Sequence, residues 1–495
     1  MTKISPSIFR EYDIRGIAGR EFSQAEIEKY EKWYGKFPGI TLTPEMGEAI
    51  GKAYGSIIRR AGGQRVVVGY ELRPFGEELK DAFIKGVRST GCNVADAGVS
   101  LTPLIYFAVG FFGFDGGVNI TGSHNVYFYN GFKMMKKDVW PLFGKEIQEM
   151  RAMIEREDFV REAQGGYGTQ DIYQAYEKYI VDHVHLVRPV TIVVDTGNGS
   201  AGMFAPKLFR KLGCNVVELY AEPDATFPNH DPDPEAPQNL EDLGKKVQEE
   251  SADFGVGLDA DGDRAGFVNE RGEFLSADLA LLVFAKDVLS RHPGKKIVYD
   301  VKSSQLLEQL IPQYGGIPFM HRTGHAPIKE TLRKDDKVIL GGEVSGHFYF
   351  VENYFKIDDG LFAAAKMLEI FAKQKSSFSS LFEGIPPRVR TPEIKLGCED
   401  EKKFEVVEKV TESLRTKFPS ILIDGIRIQA TEKGWGLIRA SNTSPYLTIR
   451  VEGETEEEVL KIKNILADEL EKFPEVQETL DRGEVMSFTG RLGWR

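Results

Sequence analysis

A short, wholly apolar run recurs three times along the chain. It reads Arg65-Val66-Val67-Val68-Gly69, then Val190-Thr191-Ile192-Val193-Val194-Asp195, then Lys296-Ile297-Val298-Tyr299-Asp300, with equivalent positions 126 and 105 residues apart. Runs without polar alternation suit strands covered on both faces, the kind found in parallel sheets between helices. After the first run, a helical stretch near Glu77–Gly91 leads to a second strand at Asn93-Val94-Ala95-Asp96. That β-α-β alternation implies a parallel or mixed sheet. Three similar α/β units follow from the recurrence, not three windows on one sheet. Helices are also predicted around Gln24–Trp33 and over Met46–Arg60, the latter started by Thr41-Leu42-Thr43-Pro44-Glu45; a capping threonine and a first-turn proline mark such a start. Helical segments near Asp171–His185 and Ser276–Arg291 fall at the joints between units.

From about Arg388 the pattern changes. Ile421–Ile428, Trp435–Arg439 and Tyr446–Arg450 are predicted as short strands, and Thr455–Lys472 as a charged helix. They make a fourth, smaller α+β unit. The expected division is 1–168, 169–274, 275–387 and 388–495, which suits a 495-residue chain at roughly 100–200 residues per domain. The stretch 481–495 shows no interpretable pattern.

Charge and cysteines limit the function classes. With 63 Lys and Arg against 75 Asp and Glu, the net charge of −12 argues against a nucleic-acid partner. An anionic substrate then requires a local cluster of cations. No apolar run of about 18 residues predicts a membrane span, and Met1–Pro6 has no apolar signal core. Cys92, Cys214 and Cys398 are odd in number and far apart, as expected of free thiols in the cytoplasm.

Four polar stretches can carry chemistry. Asp259, Asp261 and Asp263 alternate at the end of the predicted strand Phe254–Leu258, where their oxygens can converge on one hard cation. Three ligands leave room for a substrate phosphate oxygen, which favours Mg2+ and a catalytic role. A solvated acidic turn is the plain alternative. An EF-hand would put Glu270 at position 12, but Arg264 stands where the required glycine should be and the flanks are strands. Thr121-Gly122-Ser123-His124-Asn125 follows the strand-like Gly116–Ile120 and can present the Ser123 hydroxyl, although many such stretches are simple turns. In Gly342-Glu343-Val344-Ser345-Gly346-His347, Glu343 and Ser345 point the same way and can grip adjacent sugar hydroxyls. Thr323-Gly324-His325 with Lys329, and Asp300-Val301-Lys302-Ser303, add polar and basic groups at element ends of the same unit. Arg439-Ala440-Ser441-Asn442-Thr443-Ser444 offers a cation, hydroxyls and an amide suited to a phosphate dianion. Gly197-Asn198-Gly199-Ser200-Ala201-Gly202, with Glu222 beyond it, has the spacing of a dinucleotide fingerprint. Close β-α packing is the preferred reason for those glycines.

Together these stretches resemble the α-D-phosphohexomutase family, in its phosphomannomutase/phosphoglucomutase branch. The resemblance covers nearly the whole chain in motif order: Phe9–Gly16 (F-R-E-Y-D-I-R-G), Thr121–Asn125, Asp259–Arg264, Gly342–His347 and Arg439–Ser444. It implies four domains around a central cleft and movement of phosphate between C1 and C6 of an α-D-hexose, glucose or mannose. A phosphoserine and a 1,6-bisphosphosugar would mediate the transfer, with Mg2+ bound and glucose 1,6-bisphosphate, or its mannose equivalent, as activator. Ser123 would be that phosphoserine and, with Asp259, Asp261 and Asp263, a metal ligand. Arg15, His124, Lys133, Arg264 and His325 would serve catalysis. Tyr12, Lys302, Thr323, Gly324, Lys329, Glu343, Ser345 and His347 would contact the sugar phosphate, and Arg439, Ser441, Asn442 and Thr443 the non-reacting phosphate. A cytoplasmic monomer or homodimer is expected. The general base is open among Lys133, His325 and Lys329.

Three departures from the family pattern stand out. Val126-Tyr127-Phe128 occupies the place of the usual Pro-Pro-Asp. Gly69-Tyr70-Glu71-Leu72-Arg73 replaces Gly-Arg-Asp-x-Arg, and Phe22–Gly39 looks like an insertion. A phosphoglucosamine mutase is the nearest enzymatic alternative, weakened by Val344 where that group typically has Gln. A non-catalytic sugar-phosphate-binding relative is the alternative from another class.

Overall fold

The computed structural model describes residues 5–19, 22–34, 37–442, 445–476 and 488–489. Each recurring apolar run is a strand inside its own mixed sheet. Arg65–Tyr70 lies parallel to Asn93–Val99 and to Gly116–Ile120; Thr191–Asp195 is parallel to Asn215–Leu219 and Phe254–Leu258; Lys296–Asp300 is parallel to Ile317–His321 and Val338–Gly342. Val66 to Val68, Ile192 to Val194 and Ile297 to Val298 are fully buried, as strands covered on both faces require.

The polar motifs share one topological position. In each of the first three sheets, the last parallel neighbour of the apolar strand turns back into an antiparallel strand, and the motif is that turn. Gly116–Ile120 turns at 121–128 into Tyr129–Lys136; Phe254–Leu258 turns at 259–264 into Ala265–Asn269; Val338–Gly342 turns at 343–347 into Phe348–Phe350. The fourth sheet is antiparallel throughout its described pairs, and there Trp435–Ala440 pairs with Tyr446–Gly453, with Ser441 and Asn442 following the first of these strands. The loops thus sit at strand ends, where open α/β sheets place ligands.

The helix Pro44–Arg60 begins at Thr43, whose hydroxyl accepts from Met46 N at 3.4 Å. Tyr173–His183 and Ala277–Arg291 are helices at the expected joints; the second is buried on most of its surface, as a helix inside a core shared by two units must be. One prediction needs correcting. Ile421–Ile428 is not a single strand: Ser420–Ile421 and Ile426–Gln429 are joined by a turn in which Leu422 and Ile423 are exposed. The Asp424-Gly425 pair, with Gly425 at φ +73°, breaks the strand there. Of the stretch 481–495, Phe488–Thr489 pairs with Val389–Arg390, and its other residues lie outside the described ones. The three cysteines are buried free thiols. Among the described residues no helix is long and apolar enough to cross a membrane.

Candidate active site

The aspartate loop is wedged between its neighbours. Thr102 N donates to Asp261 O (3.0 Å), Gly360 N to Gly262 O (3.0 Å) and Ala265 N to Gly346 O (3.0 Å), so backbone from the first and third units clamps it on both sides. Gly262, at φ +72°, makes the reversal between Asp261 and Asp263 that a side chain would resist. Side-chain oxygens of Asp259, Asp261 and Asp263 lie within 4.8 Å of one another, all three residues fully buried. Like charges this close repel unless a cation offsets them. Lys133 supplies one: its ammonium pairs with Asp261 (2.8 Å) and with Asp263. Asp261 Oδ1 accepts no hydrogen bond among the described residues, so the site keeps acceptor capacity for a further cation. Burial and the two neighbouring carboxylates push Asp259 well above the usual carboxylate range. Burial also opposes ionisation of Asp263, but Lys133 and His347 outweigh it and hold that carboxyl well below the range.

Ser123 Oγ lies 3.1 Å from Asp259 Oδ2 and 3.4 Å from His124 Nδ1. The serine stands at φ +52°, a left-handed conformation a non-glycine residue holds only when its surroundings impose it. Beneath it Arg73 donates to the carbonyls of Ser123, Val126 (2.9 Å) and Tyr129 (3.2 Å), and Nε pairs with Glu71 at 2.7 Å. Glu71 in turn accepts from Thr121 Oγ1 and from Gly122 N (3.2 Å). Arg15 donates to the Gly122 carbonyl (3.1 Å) and is aimed by Asp13 at 2.7 Å. Arg264 N donates to Asp259 (3.0 Å), while its side chain approaches His347 and Asp233.

In the third unit, Glu343 accepts from Gly324 N (2.7 Å) and Tyr349 OH (2.6 Å), and Ser345 Oγ meets His347 Nδ1 at 2.9 Å. His347 Nε2 lies 3.3 Å from Asp263. His325 stacks beside His347 at 5.9 Å, and neither of its ring nitrogens has a hydrogen-bond partner among the described residues. Burial, then Lys329 and Lys133, hold that imidazole neutral to well below its ordinary pKa. Lys302 pairs with Glu393 at 2.8 Å. Arg439 is held by Asp424 at 3.0 Å, and Asp424 also accepts from Thr323 N at 3.1 Å. Tyr12 joins three units: its hydroxyl donates to Thr323 O (2.6 Å) and accepts from Asn442 Nδ2 (2.7 Å).

Comparison with known proteins decides what kind of site this is. Profiles described as phosphoglucomutase/phosphomannomutase alpha/beta/alpha domains I, II and III and the C-terminal domain match residues 6–161, 174–272, 276–389 and 393–469. The chain belongs to the phosphoglucomutase/phosphomannomutase family. A phosphomannomutase/phosphoglucomutase of Pseudomonas aeruginosa is 41% identical over 465 residues, 94% of this chain and 95% of that protein. A phosphoglucomutase of Neisseria gonorrhoeae is 38% identical over 96% of this chain and 99% of its own. The crystal structure of a phosphoglucomutase/phosphomannomutase family protein from Burkholderia thailandensis matches with a TM-score of 0.85 and 36% identity, covering 97% of this chain and 100% of that one.

In this phosphoglucomutase/phosphomannomutase family chain, the predicted serine, aspartate and sugar loops come into contact, and Asn442 of the fourth unit joins them through Tyr12 while Arg439 joins them through Asp424. Lys329 takes a rear position, turned to Asp358 (2.8 Å) and the face of Tyr106. Ser441 is buried, and Thr443 lies outside the described residues. Glu270 is bonded instead to Ser379, so it belongs to no calcium loop. Any side chain at Gly199 or Gly202 would collide with backbone, Ala260 of the aspartate loop in one case and Ala221 in the other; close packing accounts for those glycines. The supporting residues Asp13, Thr102, Asp358 and Asp424 were not singled out from sequence, and Glu71 and Arg73 were named only within the departing stretch Gly69–Arg73. The Asp424-Gly425 turn signal and the paired acids Asp358-Asp359 ahead of a helix could have drawn attention to two of them.

Proposed function

We propose that this chain interconverts hexose 1-phosphate and hexose 6-phosphate, of glucose or mannose, through phospho-Ser123 and a 1,6-bisphosphosugar. The observation that carries this reading is Ser123 Oγ set 3.1 Å from Asp259 of a buried aspartate triad, with Lys133, Arg15 and Arg264 beside it. Asp259, Asp261, Asp263 and the serine phosphate would hold Mg2+, which when bound neutralises charge on the transferring phosphoryl group. The chain's own groups do the rest. Arg15 and Arg264 flank the serine loop and add positive charge to the site. Glu343 and Ser345 face the sugar hydroxyls, and Arg439, Asn442 and Ser441 grip the phosphate that does not react. His325, neutral and without a hydrogen-bond partner among the described residues, is placed to accept the proton of the attacking sugar hydroxyl. The sugar oxygen forms its bond to phosphorus as the bond to Ser123 Oγ breaks. The bisphosphosugar then turns over and returns its other phosphate to the serine.

A coupled assay tests the proposal, with Mg2+, a trace of glucose 1,6-bisphosphate, and glucose 1-phosphate, mannose 1-phosphate and glucosamine 1-phosphate offered in parallel. Turnover of the first two is expected, lost on chelation and reduced roughly 10³-fold or more in Ser123→Ala. Full turnover by Ser123→Ala would refute the serine carrier. Preference for glucosamine 1-phosphate would reassign the substrate.

A further inference from the structure

The serine loop has a second face, turned away from the cleft. Beyond Asn125 it runs Val126-Tyr127-Phe128, with no proline to restrict its backbone. Arg73 and Glu71 fix the loop from one side. On the other lies the helix Gln24–Tyr34 with its flanking Phe22 and Phe37. Phe128 is 2% exposed and, with Ile17, centres an apolar cluster that takes in Phe22, Phe37, Val126, Tyr127 and Tyr129. Phe22 meets Phe128 edge-on at 5.9 Å and Phe37 at 5.3 Å. The backbone joins in, with Ala18 N donating to Phe128 O at 2.9 Å.

One carboxylate connects the helix start to the loop. Ser23 and Glu26 cap the helix reciprocally: Glu26 N donates to Ser23 Oγ (3.3 Å) and Ser23 N to Glu26 Oε2 (2.8 Å). The other oxygen, Oε1, accepts from the Tyr127 hydroxyl at 2.7 Å. The inserted helix and the altered tripeptide are therefore two halves of one contact, four residues from Ser123.

We propose that the helix Gln24–Tyr34 and its flanking phenylalanines brace the serine loop, with Glu26 and Tyr127 as positioning residues that act on Ser123 through the loop backbone. This rests on Ser123 being the phosphate carrier. Between the two transfers the phosphoserine must stay aligned with the sugar and shielded from water. A loosened loop exposes it to hydrolysis. Water oxygen then bonds to phosphorus, the Ser123 Oγ–P bond breaks, and one water proton passes to Oγ, leaving serine and inorganic phosphate.

The test uses the full chain charged with glucose 1,6-bisphosphate, comparing wild type with Glu26→Gln, Tyr127→Phe and the double variant. Release of inorganic phosphate from Ser123 is followed alongside kcat and KM for glucose 1-phosphate. Tyr127→Phe keeps the ring, and Phe128→Leu, which keeps most of the apolar volume, provides an independent probe of the packing. The single variants and Phe128→Leu are expected to lose phosphate about three- to tenfold faster and to lose kcat by a similar factor, with KM within about twofold. The double variant should be no worse than either single one, because both remove the same contact. Variants that melt earlier yet hold phosphate and turn over as wild type would show a merely structural contact and overturn the brace. A wild type that takes no phosphate on Ser123 would overturn the carrier reading itself, and the brace with it.

Discussion

One face of the first sheet shares a continuous apolar core with the second and third, running from Val67 and Leu101 through Ile192, Phe254 and Leu281 to Ile297 and Phe362. The fourth unit closes a core of its own, from Val389 to Leu470. The difference follows function. Ser123, the aspartates and the sugar loop must keep fixed distances, and they hang from the shared core, which deforms little. Arg439 is carried by the separate unit. That unit is anchored to the third by Arg390 paired with Asp278 at 2.8 Å and by Arg427 donating to the carbonyls of Val301 (2.7 Å) and Ser303 (2.8 Å). It meets the first through polar contacts, Arg10 with Asp400 (3.1 Å) and Asn442 with Tyr12 (2.7 Å). Such contacts are cheap to break and remake. The transfer centre thus hangs from the shared core and the anion grip from a separate one, which is joined to the third unit also by Val301 against Trp435 and Leu437.

Substitutions that separate the two halves sharpen this contrast. Arg73→Met strands the buried Glu71 carboxylate under the serine loop and is expected to cost about 3–5 kcal/mol in urea unfolding; a loss below about 1 kcal/mol would mean the loop is not held from the core. Arg439→Ala removes the guanidinium that the proposed function sets against the distal phosphate. KM for hexose phosphate should rise about 10- to 100-fold, with kcat changed only a few-fold; normal KM with collapsed kcat would place Arg439 at the transfer centre instead. Tyr12→Phe deletes the hydroxyl that joins three units. Amide exchange in the strand Tyr446–Gly453 should speed up several-fold while the melting temperature moves little, at about 1 kcal/mol or less for the lost bonds. Unchanged exchange would show that the fourth unit does not depend on that bridge.

The smallest effect concerns pH. His230 pairs with Asp195 at 3.1 Å. Burial works against the imidazolium, but the hydrogen bond and charge of Asp195 raise its pKa above the ordinary 6.5. A raised folded pKa gives stability that is fully present below 6.5 and lost as pH climbs through the folded value. The melting-temperature gap between wild type and His230→Gln should therefore be widest near about pH 5.5 and close by about pH 9. A gap that grows with pH would contradict the pairing.

Legibility in the sequence tracked range. The apolar runs at 66–68, 192–194 and 297–298 declare buried parallel strands locally, and Asp259, Asp261 and Asp263 carry their spacing with them. Asp424 and Asp358 carried only a local turn signal and a doubled acid, which do not name their partners, since each acquires its place from residues elsewhere in the chain: Asp424 from Arg439 and Thr323, Asp358 from Lys329. The insertion at 22–39 and the tripeptide 126–128 looked like two unrelated departures because nothing local says that Tyr127 reaches Glu26 across about a hundred residues. The Ile421–Ile428 strand failed for a different reason: its apolar residues masked an Asp-Gly turn.

The most direct measurement charges the protein with glucose 1,6-bisphosphate labelled in its phosphates, in the presence of Mg2+, and locates the label by peptide mapping before and after a chase with unlabelled glucose 1-phosphate. Label on Ser123 that the chase discharges into the bisphosphosugar is the expected result. Label on another residue, or steady turnover with Ser123 never labelled, would contradict a serine carrier.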